Sequence, residues 1–219
     1  MSAATPPWLL ALHSTSEVLG LGLAPLAPSS HAAAPAEQSS TIRSHPLGRR
    51  LSNDLLACVE ELLPAHQWRQ LGRLAVATGP GGFTGTRVTV VFARTLAQQL
   101  ALPLDGFSSF LLIAHRLRQR AEVDDQPFWL LQELPRRGIV AGCYAVDEWA
   151  LGGIAEREAP RLYGQLSDLP AGPRLEARVD PDADVDQLLR LSGLAATAGS
   201  AAPWAGVLPL YPTSPVGQP

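Results

Sequence analysis

Four glycines within seven residues mark the place where this chain could do chemistry. The stretch is Thr78-Gly79-Pro80-Gly81-Gly82-Phe83-Thr84-Gly85-Thr86-Arg87. An apolar run, Leu74-Ala75-Val76-Ala77, leads into it, and a helical pattern from Val88 to Ala101 leads out. Strand, glycine-rich turn and helix in that order aim backbone N–H groups and a helix N-terminus at one point, where an anion is favoured. Gly79, Gly81, Gly82 and Thr84 would surround it. Thr84 is also placed to N-cap the helix. Arg87 falls in the first turn, where a cation opposes the dipole and so needs a partner. The spacing matches neither Gly-x-x-x-x-Gly-Lys-Ser/Thr nor Gly-x-Gly-x-x-Gly in register after the strand. A tight strand-to-helix turn that merely packs closely therefore stands beside the anion site.

Other constellations are poorer. The histidines are His13, His31, His45, His66 and His115, and none forms His-x-x-x-His or His-Glu-x-x-His. No metal site is expected from them. There is no Gly-x-Ser-x-Gly nucleophile turn. Ser14, Thr15 and Ser16 follow His13 directly, and adjacent residues seldom face one another, so a hairpin turn is expected there. Hydroxyls beside a phosphate loop make ATP or ADP binding the competing reading. Asp180, Asp182, Asp184 and Asp186 alternate like a calcium loop but lack its glycine at the sixth and glutamate at the twelfth position. Arg116, Arg118 and Arg120 read as the solvated basic end of a helix.

Composition narrows the classes. The chain has 219 residues, 46% hydrophobic and 17% charged, enough for one large domain or two small lobes with a core. A net charge of −3 argues against a free-standing nucleic-acid binder, though not against a subunit whose partner holds RNA. Cys58 and Cys143 are far apart, lack metal spacing and suit a reducing cytoplasm. No stretch approaches a membrane span, and no basic region precedes an apolar one at the N-terminus as in a signal peptide.

The positioning elements follow from periodicity. Trp8–Leu12 and Leu19–Leu23 read as strands, the second with glycines that admit a close neighbour. Residues 24–37, rich in Ala, Pro and Ser, form a long tip, and a third strand is expected near Ser40–Ser44. Ser52–Leu63 is an amphipathic helix with Leu55, Leu56, Val59, Leu62 and Leu63 on one face. In the helix after the glycine-rich turn, Val90, Phe92, Ala93, Leu96, Ala97, Leu100 and Ala101 spread over about half the circumference, more than one contact requires. Two neighbours are expected, one of them either an internal helix or a protein partner. Leu104–Phe107 is a strand, and a helix capped by Ser108 or Ser109 runs through Leu117. Strands are expected at Phe128–Leu131, Ile139–Val146 and Glu148–Ala155, the first two joined by Arg136-Arg137-Gly138. Val185–Leu191 is a short helix. The fold class is α/β in two lobes, residues 1–103 and 104–219, bordered at Pro103.

These residues resemble the TsaB (YeaZ) family, the non-catalytic partners in bacterial synthesis of threonylcarbamoyladenosine on tRNA. Leu9-Leu10-Ala11-Leu12-His13-Ser14-Thr15-Ser16 is similar to the family's opening Ile-Leu-Ala-Ile-Asp-Thr-Ala/Ser-Thr. Gly79-Pro80-Gly81-Gly82-Phe83-Thr84-Gly85-Thr86-Arg87-Val88 resembles Gly-Pro-Gly-Ser-Phe-Thr-Gly-Leu/Val-Arg-Ile, the strongest signature. Phe107-Ser108-Ser109-Phe110, Arg136-Arg137-Gly138 with Tyr144, and Tyr211 match later family positions. The resemblance is good from Trp8 to about Tyr144 and thin beyond.

The resemblance implies two ribonuclease-H-like lobes of the actin, sugar-kinase and heat-shock ATPase (ASKHA) type. It implies no catalytic residues and no required cofactor. It implies a TsaD-like transferase as partner, docked on the Ser52–Leu63 and Thr84–Ala101 helices, with a TsaE-like ATPase binding the pair and tRNA met only indirectly. Leu55, Val59, Val90, Ala93, Ala97 and Ala101 are the expected interface, and a homodimer through the same helices is the alternative when the protein is alone. Three departures bear on the cleft. His13 stands where active members of the fold place a magnesium-holding aspartate, Leu134 stands where the family has the aspartate of Asp-Ala-Arg, and Gly82 replaces the family's usual serine. Imidazole is a poor ligand for magnesium. The competing function is a nucleotide-binding ATPase or kinase-like enzyme of the same fold.

Overall fold

The computed structural model describes residues 7–26 and 40–212. The expected loop at 24–37 lies from residue 27 onward outside the described residues. Two sheets form the frame. The first has the order β3-β2-β1-β4-β5 and the second β8-β7-β6-β9. In the first, β1 (Trp8–His13) pairs antiparallel with β2 (Val18–Pro25), which pairs antiparallel with β3 (Thr41–Pro46). On its other side β1 pairs parallel with β4 (Leu71–Ala77), and β4 pairs parallel with β5 (Leu104–Phe107). In the second, β6 (Phe128–Leu134), β7 (Gly138–Val146) and β8 (Ile154–Tyr163) form an antiparallel meander, and β9 (Arg174–Glu176) adds parallel to β6.

Period two in the strands sorts the first sheet into two faces. Leu10, Leu12, Leu19, Leu21, Leu74 and Val76 face a core shared with α1 (Leu51–Leu62) and α2 (Phe83–Leu100). Leu9, Ala11, Ala75 and Ala77 face the other way, against Val185, Leu188 and Leu189 of α4 (Pro181–Thr197). The remaining helix, α3 (Ser109–Gln119), packs on β7, β8 and α4.

The glycines of β2 make that second face flat enough for a helix. A Cβ on Gly22 would lie 2.6 Å from Val185 Cγ1 and 2.9 Å from Leu189 Cδ1. Gly22→Val is therefore expected to lift α4 and destabilise the fold by about 1–3 kcal/mol, the usual cost of overpacking. Urea denaturation followed by circular dichroism checks this, and an unchanged midpoint would mean that α4 is not tightly seated.

Two buried ion pairs fasten the late helices. Arg73 on β4 holds Asp105 on β5 through Nε–Oδ2 at 2.6 Å and Nη2–Oδ1 at 2.9 Å. Ser192 of α4 donates to the same carboxylate, and Arg73 Nη1 donates to the Ser200 carbonyl at 3.1 Å. Arg116 of α3 donates to Asp184 Oδ1 of α4 at 2.7 Å, and the Asp180 N–H donates to Asp184 Oδ2 at 2.9 Å.

Three sequence expectations change. The border at Pro103 does not divide the chain, because β5 belongs to the first sheet and α4 returns to cover it. The expected short helix at Val185–Leu191 is the middle of a longer one. Asp180 caps it by accepting from the Ala183 N–H at 3.2 Å and Pro181 follows at its start, so the acidic cluster is N-terminal helix chemistry. The strand expected at Glu148–Ala155 begins at Ile154 instead, because Gly152 and Gly153 turn the chain at φ +72° and +89°.

Candidate functional site

The glycine-rich turn lies between the β1–β2 hairpin turn and the N-terminus of α2. A Cβ on Gly81 would sit 2.4 Å from Thr15 Cβ and from the Thr15 carbonyl oxygen. The Gly82 N–H donates to that same carbonyl at 3.1 Å. The Gly79 carbonyl accepts from the Ser109 N–H at 2.7 Å, and Ser109 Oγ donates to the Pro80 carbonyl at 2.6 Å. Close packing accounts for Gly81, and Gly79 and Gly82 bond to the chain itself. Thr84 does not cap the helix: α2 starts at Phe83 with Gly82 as its cap residue and no side-chain cap bond. Beside the turn, the N-terminal ends of α1 and α2 line a groove of about 530 Å³ with Ser16, Glu17, Arg49 and Phe83. Arg87 has its expected partner in the Phe83 ring, 6.0 Å from the guanidinium carbon.

At the end of β1, His13 is fully buried, with Nε2 3.3 Å from Thr15 Oγ1 and Nδ1 without a partner. Burial, with the nearby Arg116 charge, lowers its pKa to about 4, so it is neutral at pH 7. Among the described residues no three His, Cys, Asp or Glu side chains are grouped to hold a metal ion. Leu134 ends β6 opposite Gly138, at the hairpin expected from Arg136-Arg137-Gly138.

At the start of α3, Ser108 caps the helix by accepting from the Leu111 N–H at 3.0 Å. Ser108 Oγ and Tyr144 OH each donate to Glu156 at 2.9 Å. Burial, then the Glu156 charge, pushes the Tyr144 phenol above its usual range. Ser108 and Tyr144 were legible as motif positions. Glu156, on a strand whose start was misread, was not.

The expected interface needs correction. Leu55, Val59, Val90, Ala93 and Ala97 are buried within the chain's own core. Only Ala101 is exposed, as the left-handed residue (φ +53°) that ends α2. The wide apolar arc of α2 is filled by the sheet beneath, by α1 on one flank and by Trp204 and Val207 from the end of the chain on the other. What remains outside is a strip out of phase with that arc. Leu56 of α1 is 49% exposed and Val91 of α2 is 52% exposed. With Val88 and Phe92 they line an apolar groove of about 470 Å³ between the two helices, rimmed by Arg87. The signal was present in the sequence, since Val91 and Leu56 each follow directly on a core residue and so point elsewhere.

Fold and site together define a two-sheet α/β protein similar in fold to solved YeaZ structures. The chain overlays a crystal structure described as an uncharacterized protein with similarity to peptidase YEAZ from Pseudomonas aeruginosa, with a TM-score of 0.70 at 20% identity, over 94% of this chain and 100% of that one. It overlays YeaZ from Pseudomonas aeruginosa with a TM-score of 0.68, again at 20% identity, over 94% and 99%. In sequence, it is similar to the tRNA threonylcarbamoyladenosine biosynthesis protein TsaB of Bacillus subtilis, 32% identical over 78 residues. That match spans 36% of this chain and 30% of the relative. A family model for TsaD, tRNA N6-adenosine threonylcarbamoyltransferase, matches residues 45–140, from the end of β3 into β7. The TsaB (YeaZ) resemblance carried by the glycine-rich signature is thus borne out.

Proposed function

We propose that this protein is a non-catalytic subunit in the synthesis of threonylcarbamoyladenosine on tRNA. It docks a TsaD-like transferase in the groove between α1 and α2. The observation that carries the reading is that groove: two large aliphatic side chains held in water on neighbouring helices, beside an arginine. The similarity to TsaB supplies the pathway. A TsaE-like ATPase then meets the assembled pair, tRNA is contacted through the partners, and the setting is cytoplasmic. No described helix is long and apolar enough to cross a membrane. The ribonuclease-H-like, ASKHA-type assignment is supported by the strand order β3-β2-β1-β4-β5 with β2 antiparallel, which the second sheet repeats in part as β8-β7-β6-β9.

Size-exclusion chromatography of this protein with a TsaD-like transferase tests the docking. A shared peak is expected, and Val91→Arg should weaken the pair about tenfold or more by placing a charge in the apolar contact. Val91 is the informative position because a change at the buried Ala97 would disturb the core instead. A shared peak that survives Val91→Arg unchanged would remove the groove from the interface.

The competing reading, a nucleotide-binding enzyme, draws on the groove where the α1 and α2 N-termini meet. Calorimetry of the isolated protein with ATP and magnesium separates the two. No micromolar binding is expected, because the glycine-rich turn is bonded to its own chain and His13 offers an imidazole in place of a carboxylate. Binding with turnover would favour the enzyme.

A further inference from the structure

We propose that a late segment of the chain, residues 200–212, is a clasp that substitutes for the missing cap of α2 and thereby holds the docking groove in shape. The first turn of α2 is weak by its own sequence. Gly82 gives it no side-chain cap, no acidic residue lies in the turn, and Arg87 opposes the dipole. Residues 81–84 are all exposed. A turn of this kind frays unless something outside the helix holds it.

Residues 200–212 supply that hold together with Ser14 of the β1–β2 turn, whose Oγ donates to the Gly85 carbonyl at 3.1 Å. The late segment leaves α4, passes the Arg73 guanidinium at Ser200, and gives the Ala202 carbonyl to the Leu104 N–H at 2.8 Å. Trp204 then lies under Arg94 of α2, 5.9 Å from its guanidinium carbon, and Val207 fills the space over Gly106, where a Cβ would come within 2.8 Å of it. The segment then reaches the glycine-rich turn itself. The Leu210 N–H donates to the Thr78 carbonyl at 2.7 Å. The Leu210 carbonyl lies where a Cβ on Gly79 would approach to 2.9 Å, so Gly79, at φ +105°, makes room for this backbone. Tyr211 stacks on Phe83, the first residue of α2, with ring centroids 4.8 Å apart and planes tilted by 40°. The same Phe83 ring also meets Arg87, whose guanidinium carbon is 6.0 Å from its centroid and which rims the apolar groove. The clasp therefore fixes Phe83, Phe83 positions Arg87, and the groove keeps its shape.

The consequence for docking rests on the function proposed above, but the clasp itself does not, and one experiment separates them. Hydrogen exchange is measured on the full-length protein, Tyr211→Ala and Tyr211→Phe, followed in each by affinity for a TsaD-like transferase. In Tyr211→Ala, amides 86–88, the first to be bonded within the helix, are expected to exchange about tenfold faster or more while those of β4 stay unchanged, as in local fraying. Tyr211→Phe keeps the ring and should restore the slow exchange. Unchanged exchange in Tyr211→Ala overturns the clasp, as does fast exchange that Tyr211→Phe fails to slow. Faster exchange with undiminished affinity overturns its control of docking. If no variant, nor the parent protein, binds the transferase, the docking reading falls and the exchange data alone decide the clasp.

Discussion

Replacing Asp105 with alanine is expected to remove about 3–5 kcal/mol of stability, the loss typical when one partner of a buried ion pair is deleted. The cost comes from what remains. Arg73 is buried with a full charge and loses both bonds to the carboxylate, and Ser192 loses the acceptor that ties α4 to the sheet. A domain holds only about 5–15 kcal/mol in all, so the variant should be near unfolding at 37 °C. The double substitution Arg73→Met with Asp105→Leu should recover most of the loss, since apolar residues leave no uncompensated charge. Urea denaturation at pH 7 of the parent and both variants gives the comparison. A loss below about 1 kcal/mol for Asp105→Ala would mean that water reaches the arginine, as at surface pairs.

Acid should destabilise the protein well above the range in which ordinary carboxylates titrate. Burial holds His13 and His115 at about 4, against about 6.5 in an unfolded chain, and the Arg116 and Arg190 charges add to this. Both folded-state values are depressed, so this stability is present above pH 6.5 and is lost as pH falls towards 4, where the unfolded chain takes protons the folded one refuses. Each imidazole accounts for about 3 kcal/mol over that window. Asp184 works in the opposite direction. Burial pushes its carboxyl up to about 6 despite Arg116, so the folded protein takes up a proton there as pH falls, regaining about as much as one imidazole loses. The net loss between pH 6.5 and 4 is then about 3–4 kcal/mol. With His115→Gln the remaining two groups nearly cancel, and the stability profile over that window should flatten. A profile as steep as that of the parent would show that His115 is not held neutral.

Much of this architecture was legible because local signals agreed with the final packing. Leu19-Gly20-Leu21-Gly22-Leu23 alternates cleanly, and its leucines and glycines do go to opposite faces. The glycine-rich turn sits between strand and helix as its residue types require. Three features were hidden for physical reasons. The breadth of the α2 apolar arc says how many neighbours the helix has, not whether they belong to the same chain, and here the extra neighbour is a Trp204–Val207 segment more than a hundred residues later. The length of α4 was masked by its alternate aspartates, which read as a loop until Asp180 is seen to cap and Asp184 to meet Arg116. The groove at Leu56 and Val91 is hidden in the sequence because each stands beside a residue that does enter the core.

The return of α4 to the first sheet also fixes when that sheet can be completed during translation. Strands β1, β2 and β4 emerge early from the ribosome, yet the surface of Leu9, Ala11, Ala75 and Ala77, covered in part by Leu112 of α3, is not closed until residues 181–197 have been made. For most of its synthesis the nascent chain must carry an oily half-sheet in water, a state that invites chaperones and proteases. The first sheet cannot then be finished as an independent folding unit, whereas the second has its strands and its α3 cover made before α4 is reached.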